Sequence, residues 1–585
     1  MNRKTINILI GGPAGAGIES AGLLLGQSLN REGASVFISN EIMSLIRGGH
    51  NYNRVRFSFL EPVLCHDETV DIVVALDKDS FAEHLSQLRE GGVFVYDKSL
   101  EGAATGAGGS TADGVDAPGV KMMPVDLVGT AKELGGEIYK NTVALGVVLG
   151  LMGEPLEYLE KMIRDKFGSK GAEVVDANIK ALRAGAGFVS EVHFELERGD
   201  KFEEEMLLNG NDAFCLGAVA AGCKFVAAYP MTPASSIMHT MAAWGRKKGI
   251  VMKHAEDEIA AMNMTVGAGF AGARSMTCTS GGGFALMTEA VGLAGCAEVP
   301  CVIAESQRVG PSTGLPTRTE QGDLRQVMHA SQGDYPRLVM IPGDVAECYS
   351  MGFDAFNLAD KYQIPVIVLL DKYLSESIVS ISGDHFGTEG LEIDRGKILD
   401  SSGASAASEE GFFKRYAESE DGVSGRTLPG TEKGEHVTTS YETDEFGEAV
   451  EDRENRVLEM NKRMRKMDGL LAELPEPELV GASADEAEIT FVGFGSLKPV
   501  LEEVLTELDV KANILLIKHA VPFHSEKIEV ILKAANRVIL VEQNFSGMMG
   551  GVITENTGFK FDEKILKYDG RQMDSEFIIN KLNSL

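Results

Sequence analysis

The sequence predicts a multidomain α/β protein. Short apolar runs alternate with helical stretches along most of the 585 residues, which is the pattern of βαβ units and a largely parallel sheet. Glycine is abundant at 67 residues, while aromatic residues make up 7%. This balance is typical of helices packed closely on sheets and joined by glycine turns. The length predicts three or four domains of about 100–200 residues each.

Composition excludes several classes of function. The net charge of −32 argues against a nucleic-acid partner, because phosphate binding needs clustered Lys and Arg. No apolar run reaches the length of a membrane helix, about 18 residues, so we expect no membrane association and a cytoplasmic location. The basic and then apolar start, Met1–Ile10, leads directly into a glycine loop. It therefore indicates a first strand rather than a signal peptide.

Cysteine usage limits what this chain can bind. The seven cysteines are scattered and form no C-x-x-C pair. Most lie in apolar segments, which indicates buried, inert thiols rather than a disulfide framework. An iron–sulfur cluster needs grouped thiolates, so we expect none to be held by this chain alone, and we predict no metal site in it.

The pattern divides the chain into four segments, of which the first two are the larger. Residues 1–190 form one α/β segment, with a predicted solvent-exposed loop at Gly102–Gly119. Its strands are predicted at Ile6–Ile10, Ser35–Ile38, Asp71–Leu76 and Val93–Tyr96. Residues 200–385 form a second, with strands predicted at Phe225–Tyr229, Ser275–Cys278, Cys301–Glu305, Leu338–Ile341 and Pro365–Leu370.

The two remaining segments differ in character. Residues 386–470 are polar and acidic, but Gly411–Tyr416 contains aromatic residues that a simple linker would lack. We predict an extended arm with fixed contacts, then a charged helix around Glu448–Gly469; a disordered linker is the alternative. Residues 485–585 form a last, smaller α/β domain, with strands predicted at Glu488–Gly493, Ile514–Ile517 and Val538–Glu542.

The first motif is the glycine loop Gly11-Gly-Pro-Ala-Gly-Ala-Gly17, which follows a strand and opens a helix. Gly12, Gly15 and Gly17 would let backbone N–H groups and the positive helix end face a phosphate. The loop is not a clean G-x-G-x-x-G, and no acidic ribose ligand follows at the expected distance, which argues against NAD. A tight turn needed only for packing remains an alternative.

The second motif is Tyr229-Pro-Met-Thr-Pro-Ala-Ser-Ser236. Its two prolines stiffen the turn, and Pro233 holds Thr232 outside helical geometry. The Thr232 hydroxyl can then hydrogen-bond the carboxylate or keto group of a substrate. Alternatively, a threonine or serine of this motif caps the following helix, and both roles can coexist if a later serine is the cap.

A carboxylate and a glycine turn complete a predicted cofactor pocket. Glu258 opens a helix of small residues after His254-Ala-Glu-Asp. A carboxylate in such a setting can hold a proton at a cofactor ring nitrogen. Glu256 and Asp257 compete for the role, and all three acids could instead complement the helix dipole. The turn Thr279-Ser-Gly-Gly-Gly283 adds Ser280 and Gly281 to the pocket.

A cationic loop follows this pocket in the sequence. Gly310–Asp323 is long and polar, with Arg318 as its only cation and Arg308 just upstream. A guanidinium is a good bidentate clamp for a carboxylate, so Arg318 is a candidate substrate ligand. A surface Arg318 paired with Glu320 is the alternative.

These motifs together resemble the α subunit of a 2-oxoacid:ferredoxin oxidoreductase with a γ-type domain fused at its N-terminus. The resemblance implies a γ-type domain at 1–190, a thiamine-diphosphate (pyrimidine-binding) domain at 200–385, an acidic arm at 386–470 and a transketolase C-terminal-like domain at 485–585. It implies that Glu258 activates thiamine, and that Thr232 and Arg318 hold the substrate. Tyr229, Pro230, Ser280 and Gly281 would join Glu258 at the cofactor.

The same resemblance extends to coenzyme A and to the last domain. The glycine loop, with Glu41-Ile42 and Arg47-Gly-Gly-His50, is similar to the γ-domain signature, a domain implicated in handling coenzyme A. Gly12, Gly15, Gly17 and Arg47 are therefore candidate coenzyme A contacts. Val541–Gly547 looks like the corresponding segment of family α subunits, where interdomain packing is the expected role.

An absence predicts a partner. The sequence contains no Gly-Asp-Gly, the motif through which the family's Mg²⁺ holds the diphosphate. The resemblance therefore implies a β subunit that brings Mg²⁺, the diphosphate site and a [4Fe-4S] cluster, in a heterodimer or a dimer of heterodimers. The implied reaction is coenzyme A-dependent oxidative decarboxylation of a 2-oxoacid to acyl-CoA and CO₂, with electrons passed to ferredoxin. An indolepyruvate or aryl-pyruvate oxidoreductase, a non-oxidative thiamine enzyme and a non-catalytic coenzyme A- or nucleotide-binding scaffold are the alternatives.

Overall fold

The computed structural model describes residues 1–43, 49–102, 119–199 and 205–585. These residues form two compact units: Met1–Leu208 with Ser377–Gly383, and Asn209–Glu376 with Asp384–Leu585. Arg47 and nearly all of the predicted loop at Gly102–Gly119 lie outside the described residues. In the described ranges, no helix has both the length and the apolar character needed to cross a membrane.

The first unit contains an eight-stranded sheet. In spatial order its strands are Lys121–Val125, Leu88–Asp97, Val70–Ala75, Thr5–Pro13, His50–Ser58, Ser35–Glu41, Ile378–Ile381 and Met206–Leu208. Asn2–Arg3 and Glu195–Leu196 pair separately. Its helices are Ile18–Glu32, Asp79–His84, Leu127–Glu133, Lys140–Met152, Glu157–Phe167 and Ala172–Ala186. The four strands predicted from the sequence are confirmed.

The predicted largely parallel sheet is wrong for half of this unit. The first four strands in the spatial order are parallel, and the remaining neighbours pair antiparallel. The sequence pattern missed the strand His50–Ser58 because Arg54 and Arg56 interrupt its apolar character. Both arginines are buried: Arg54 pairs with Glu68 at 2.9 Å, and Arg56 donates to the Cys65 carbonyl at 3.0 Å. These partners lie outside the strand, so the pattern of the strand itself could not reveal them.

The second unit is built on a seven-stranded sheet. In spatial order its strands are Val251–His254, Phe225–Ala228, Ser275–Thr279, Cys301–Gln307, Pro365–Asp371, Leu338–Met340 and His519–Val521. All neighbours are parallel except the last pair. The helices of this region are Gly210–Ala220, Ser235–Lys248, Glu258–Phe270, Gly281–Cys296, Leu324–His329, Val345–Tyr362 and Lys372–Glu376. The five predicted strands are confirmed.

A smaller sheet ends the second unit. Its strands in spatial order are Leu479–Gly481, Ala512–Leu516, Ile489–Gly493, Val538–Glu542 and Glu563–Leu566. The accompanying helices are Leu497–Glu507, Ser525–Ala534, Met548–Thr557 and Ser575–Leu582. The three predicted strands are confirmed. Side chains from this sheet, such as Val492 and Leu540, share one apolar core with Ile303 and Ile367 of the seven-stranded sheet.

The acidic arm has fixed contacts, as predicted. It contains a short helix, Ser401–Ala406, a small hairpin, Ser408–Glu409 with Phe412–Phe413, and a long helix, Arg453–Glu473. Tyr416 is only 2% exposed, and its hydroxyl donates to the Ala297 carbonyl at 3.3 Å. The alternative of a disordered linker is therefore wrong for the described arm.

One buried carboxylate joins the arm to the core. Glu298 lies at the end of a core helix, and two fully buried lysines of the arm meet it: Lys462 Nζ at 3.0 Å from Oε1 and Lys466 Nζ at 2.5 Å from Oε2. Burial opposes ionisation of Glu298, but Lys466, Lys462 and Arg415 outweigh it and hold the pKa of this carboxyl well below its usual range. Burial lowers the pKa of Lys466 to about 8 even beside Glu298.

We predict that Glu298→Gln destabilises the second unit by about 3–5 kcal/mol, because it leaves the buried Lys466 ammonium without a carboxylate and Lys462 with only Glu459. Urea unfolding followed by the fluorescence of the single tryptophan, Trp244, measures this in the right unit. Glu486→Gln is the matched control: its pair with Lys511 is exposed, so its loss should cost less than about 1 kcal/mol. Equal effects of the two substitutions would contradict the prediction.

Candidate functional site

Four loops meet at one edge of the seven-stranded sheet. The strands Phe225–Ala228, Val251–His254, Ser275–Thr279 and Cys301–Gln307 are parallel neighbours. Their carboxyl ends therefore lie at the same edge, which is where open α/β sheets place their ligands. A cleft of about 680 Å³ opens there, and its lining residues include Met231, Gly281, Gly282, Arg308, Glu320 and Asp323.

The structure separates the three acids that compete in the sequence. Glu256 and Asp257 are exposed, and the Asp257 carboxylate caps the following helix by accepting from the Ala260 N–H at 2.7 Å. Glu258 is only 4% exposed. Its Oε1 atom receives no hydrogen bond from any described residue. A buried carboxylate oxygen without a donor is costly, so Glu258 is the acid of this site that is prepared for a ligand.

Glycines bring backbone and carboxylates together around Glu258. A Cβ atom on Gly283 would lie 2.8 Å from Glu258 Oε1 and 2.1 Å from Thr279 Oγ1. A Cβ atom on Gly281 would lie 2.3 Å from Asp323 Oδ2. Ser280 lies in the sequence between the strand Ser275–Thr279 and these glycines. It is fully buried, and its hydroxyl has no hydrogen-bond partner among the described residues. The pocket therefore has room and unmet polar groups where side chains would otherwise fill it.

The proline loop lies against this glycine turn. Met231 Sδ is 3.9 Å from Thr279 Oγ1, and the Asn211 side chain donates to the Pro233 carbonyl at 3.0 Å. Tyr229 is 39% exposed, and its ring centroid is 6.3 Å from that of His254. Pro230 is also exposed, and Thr232 is half-buried. The loop thus presents Tyr229 and Pro230 outward and places Thr232 beside the cleft.

The alternative, in which a threonine or serine of this motif caps the next helix, is wrong. The helix begins at Ser235 with Ala234 in the cap position, and no side chain caps it. The Ser236 hydroxyl instead accepts from Asn211 Nδ2 at 2.7 Å. Asn211, from a helix before the motif, fixes the loop in place of a cap. The local pattern could not show this, because Asn211 lies 25 residues from Ser236.

The two arginines of the cationic loop occupy different surroundings. Arg308 lines the cleft, and its Nη1 donates to the Thr232 carbonyl at 2.7 Å. Arg318 is only 7% exposed and is absent from the cleft lining. Its burial, with the nearby charge of Arg571, lowers its pKa to about 10. The structure therefore brings Thr232 together with Arg308 rather than Arg318. Arg308 directly follows a strand at its carboxyl end, a signal that could have identified it from the sequence.

Two carboxyl groups next to Arg308 were missed by sequence reasoning. Glu305 is fully buried, and burial followed by the charge of Asp323 raises its pKa well above the ordinary value. Burial raises the pKa of Asp323 to about 6, against the opposing effects of Glu305 and Arg308. A glutamate inside the apolar strand Cys301–Gln307 was the available signal.

The motif Val541–Gly547 fixes the far end of the cationic loop. The Gln321 N–H donates to the Gln543 carbonyl at 2.8 Å, and Asn544 Nδ2 donates to the Gln321 carbonyl at 3.1 Å. In addition, the Gln321 side-chain oxygen Oε1 accepts a hydrogen bond from the Gln543 N–H at 3.2 Å. The predicted packing role of this motif is confirmed by these contacts.

The glycine loop of the first unit borders a second cleft. Gly15 and Gly17 have positive φ angles of 83° and 77°, and no atom lies within 4 Å of a Cβ built on Gly15. On Gly12 a Cβ would lie 2.9 Å from Leu76 Cβ, so this glycine is needed for packing. The cleft measures about 530 Å³, and its lining includes Gly15, Gly17, Lys140, Asn141, Lys166 and Lys170.

Comparisons with known proteins agree along the whole chain. The family described as pyruvate ferredoxin/flavodoxin oxidoreductase matches residues 7–188, and the thiamine-diphosphate-binding family of pyruvate flavodoxin/ferredoxin oxidoreductase matches residues 216–385. The α subunit of 2-oxoacid:ferredoxin oxidoreductase 2 from Aeropyrum pernix is 34% identical, over 97% of this chain and 96% of its own length. A solved 2-oxoglutarate:ferredoxin oxidoreductase from Magnetococcus marinus, with 2-oxoglutarate, coenzyme A and succinyl-CoA bound, is 32% identical with a TM-score of 0.89, covering 100% of this chain and 99% of that one.

We predict that Asp323→Asn changes the pH dependence of stability. The pKa of Asp323 is raised to about 6 from 3.8, so the folded state holds more protons than the unfolded state between these values. Stability from this group is present below about pH 4 and is lost as the pH rises through 6. In thermal unfolding between pH 4 and 8, the stability of the Asn variant relative to wild type should rise up to about pH 6. Above that pH the difference in stability should stay constant. Exposed Asp334→Asn is the control. A pH-independent difference for Asp323→Asn would contradict the assignment.

Proposed function

This chain belongs to the 2-oxoacid:ferredoxin oxidoreductase family, and from this premise we propose that Glu258, Thr232 and Arg308 form the thiamine and substrate site of an α subunit. The family's reaction is oxidative decarboxylation of a 2-oxoacid to acyl-CoA. The predictions of family, of enzyme class and of a multidomain α/β fold are confirmed by the comparisons. The four-segment division and the individual site residues remain proposals.

The proposal rests on the buried Glu258 Oε1 atom, which has no hydrogen-bond donor in the part of the chain that the structure describes. It lies in the segment that matches the thiamine-diphosphate-binding family. The neighbouring glycines leave space beside it that the Cβ atom of any other residue would fill. When bound, thiamine diphosphate supplies a nucleophilic carbon and an electron sink. Glu258 would hold a proton at the pyrimidine ring nitrogen that meets its carboxylate. Ser280, Gly281, Tyr229 and Pro230 would border the ring.

Substrate recognition is assigned to Thr232 and Arg308. A 2-oxoacid carries a carboxylate beside a keto group, and Arg308 offers a cation on the cleft wall, with Thr232 attached to it through one hydrogen bond. Because that bond uses one N–H group, the remaining guanidinium donors can hold the carboxylate. Arg318, which the sequence motif suggested as the substrate ligand, would instead stabilise the loop from its buried position. It stays the second candidate for the clamp.

A partner subunit is proposed because this sequence has neither grouped cysteines for an iron–sulfur cluster nor a diphosphate-binding motif. Its seven cysteines form no disulfide and contain no C-x-x-C pair, and its sequence has no Gly-Asp-Gly. We infer a heterodimer in which a β subunit supplies Mg²⁺, the diphosphate site and the [4Fe-4S] cluster that passes electrons to ferredoxin. The residues described above then form the pyrimidine half of the active site.

Coenzyme A would use the cleft of the first unit. The Magnetococcus marinus relative has coenzyme A bound, and this cleft offers open backbone at Gly15, with Gly17 and three lysines in its lining. Phosphate groups are recognised by such combinations of backbone N–H groups and cations. Gly12 would act through packing, and Arg47 stays a proposed contact outside the described residues.

We predict that Glu258→Gln lowers kcat at least about 100-fold, because the amide cannot exchange the proton. The assay is anaerobic viologen reduction by the co-expressed subunits with thiamine diphosphate, Mg²⁺, coenzyme A and a panel of 2-oxoacids. Glu256→Gln and Asp257→Asn are matched controls and should stay near wild type, since Asn still caps a helix. A Glu258→Gln enzyme with wild-type kcat would remove the central assignment.

Arg308→Gln should lower kcat/KM for the 2-oxoacid roughly 10- to 100-fold through loss of a charged hydrogen bond to the carboxylate. Arg318→Gln should change it only a few-fold. Steady-state kinetics on the preferred 2-oxoacid compares the two variants directly. The reverse order of effects would restore Arg318 as the clamp.

The double substitution Lys166→Gln and Lys170→Gln should raise the KM for coenzyme A about 10-fold, because two charge-assisted phosphate contacts are lost. The KM for the 2-oxoacid should not change. Lys180→Gln, an exposed lysine outside the cleft lining, is the control. An unchanged KM for coenzyme A would place its phosphates elsewhere.

A further inference from the structure

Two buried histidines of the first unit point the same nitrogen at each other. His50 begins the strand His50–Ser58, and His84 ends the helix Asp79–His84. They are 5% and 1% exposed. Their Nε2 atoms are 2.7 Å apart. Neither histidine has a role in the function proposed above.

The hydrogen bonds of the two Nδ1 atoms determine which hydrogens the two facing Nε2 atoms can carry. His50 Nδ1 is 2.9 Å from Asp77 Oδ2, and His84 Nδ1 is 2.9 Å from Gln87 Oε1. Both oxygens are acceptors, so each Nδ1 donates its hydrogen outward. If both rings are neutral, each Nε2 then carries a lone pair. Two facing lone pairs at this distance would repel each other, so either a shared proton or a metal cation must lie between or beside the two nitrogens.

The surroundings hold both rings in this arrangement. Asp77 Oδ1 accepts from the Ser80 N–H at 3.0 Å and from its hydroxyl at 2.7 Å. The Tyr52 ring packs edge-on to His84, with centroids 4.7 Å apart. Gly11 leaves room for the other ring, since a Cβ there would lie 2.9 Å from His50 Cε1. The rings are therefore held by groups that do not themselves occupy the space near Nε2.

A third ligand group completes the cluster. Ligand atoms of His50, Glu83 and His84 all lie within 4.8 Å of one another. Glu83 is exposed, so the cluster is accessible from solvent on its side. Two imidazoles and a carboxylate are a ligand set of divalent transition metals. Histidine ligands of metals commonly donate their other N–H to a carboxylate or carbonyl oxygen, as both do here.

We propose that His50, His84 and Glu83 bind one divalent transition-metal ion of octahedral preference, such as Co²⁺ or Ni²⁺, with water in the remaining positions. Adjacent nitrogen ligands at about 2.1 Å from an octahedral ion lie roughly 3.0 Å apart. The histidines need only open by a few tenths of an ångström. The ion would link the start of one strand to the end of a helix in the first unit. This site is independent of the thiamine site proposed above.

The test is titration of the metal-free full-length chain with Co²⁺ at pH 7.5, followed by visible absorption and by equilibrium dialysis. We expect one ion per chain in a site with imidazole ligands. Glu83→Gln and His84→Gln should weaken binding at least 10-fold, and Asp77→Asn about 10- to 100-fold through loss of the outer hydrogen bond. His193→Gln is the control, because this half-buried histidine bonds the Gly91 carbonyl away from the cluster.

Glu83→Gln keeps the test decisive, because an exposed side chain can change without loss of the fold. Wild type should also gain thermal stability with Co²⁺, and Glu83→Gln should gain less. Binding that is equal in wild type, Glu83→Gln and His84→Gln would overturn the proposal. So would an absence of Co²⁺ binding with ¹⁵N chemical shifts showing a protonated His50, since the two histidines would then share a proton instead of a metal.

Discussion

The parallel register of four neighbouring strands is the constraint on which the proposed active site depends. Backbone pairing aligns the strands that end before Tyr229, Ala255, Ser280 and Arg308 at one edge of the seven-stranded sheet. Their loops must therefore meet, although Tyr229 and Arg308 are separated by 79 positions in the sequence. A change in register by one residue would turn each alternate side chain to the opposite face, so the apolar core and the site are specified together.

The loops of the site are held in place by residues that surround the site rather than by contacts among the site residues themselves. Glu258 and Ser280 leave polar atoms without partners among the described residues, which costs folding free energy. Compensation comes from neighbouring groups. Asn211 fixes the proline loop, Gln321 and Gln543 fix the cationic loop, and Glu298 with its two lysines secures the arm. A ligand that supplies the missing hydrogen bonds should therefore also stabilise this unit.

Local pattern and chemistry together singled out Glu258, because a carboxylate opens a helix of small residues there. The structure adds that Glu258 is buried while Glu256 and Asp257 are exposed, and the role of Glu258 stays a prediction. Local pattern could not decide where long-range contacts matter. Arg308 and Arg318 lie ten positions apart in the sequence, and they are distinguished by the bond of Arg308 to the Thr232 carbonyl and by the burial of Arg318 outside the cleft lining. Arg54 and Arg56 concealed a buried strand because their partners lie outside it. The lysines that line the cleft of the first unit are more than 120 residues from the glycine loop beside them.

The charge balance around Arg308 links burial to specificity. Two carboxyl groups beside a guanidinium would neutralise it if both were ionised, leaving little attraction for a substrate carboxylate. Burial raises the pKa of Glu305 well above its ordinary value and that of Asp323 to about 6. Burial thus opposes full ionisation of this carboxyl pair, which reduces the negative charge that Arg308 faces. A smaller negative charge beside the guanidinium leaves more attraction for a further carboxylate. The burial of Glu305 and Asp323 would in this way preserve the cationic character on which the proposed binding of a 2-oxoacid to Arg308 depends.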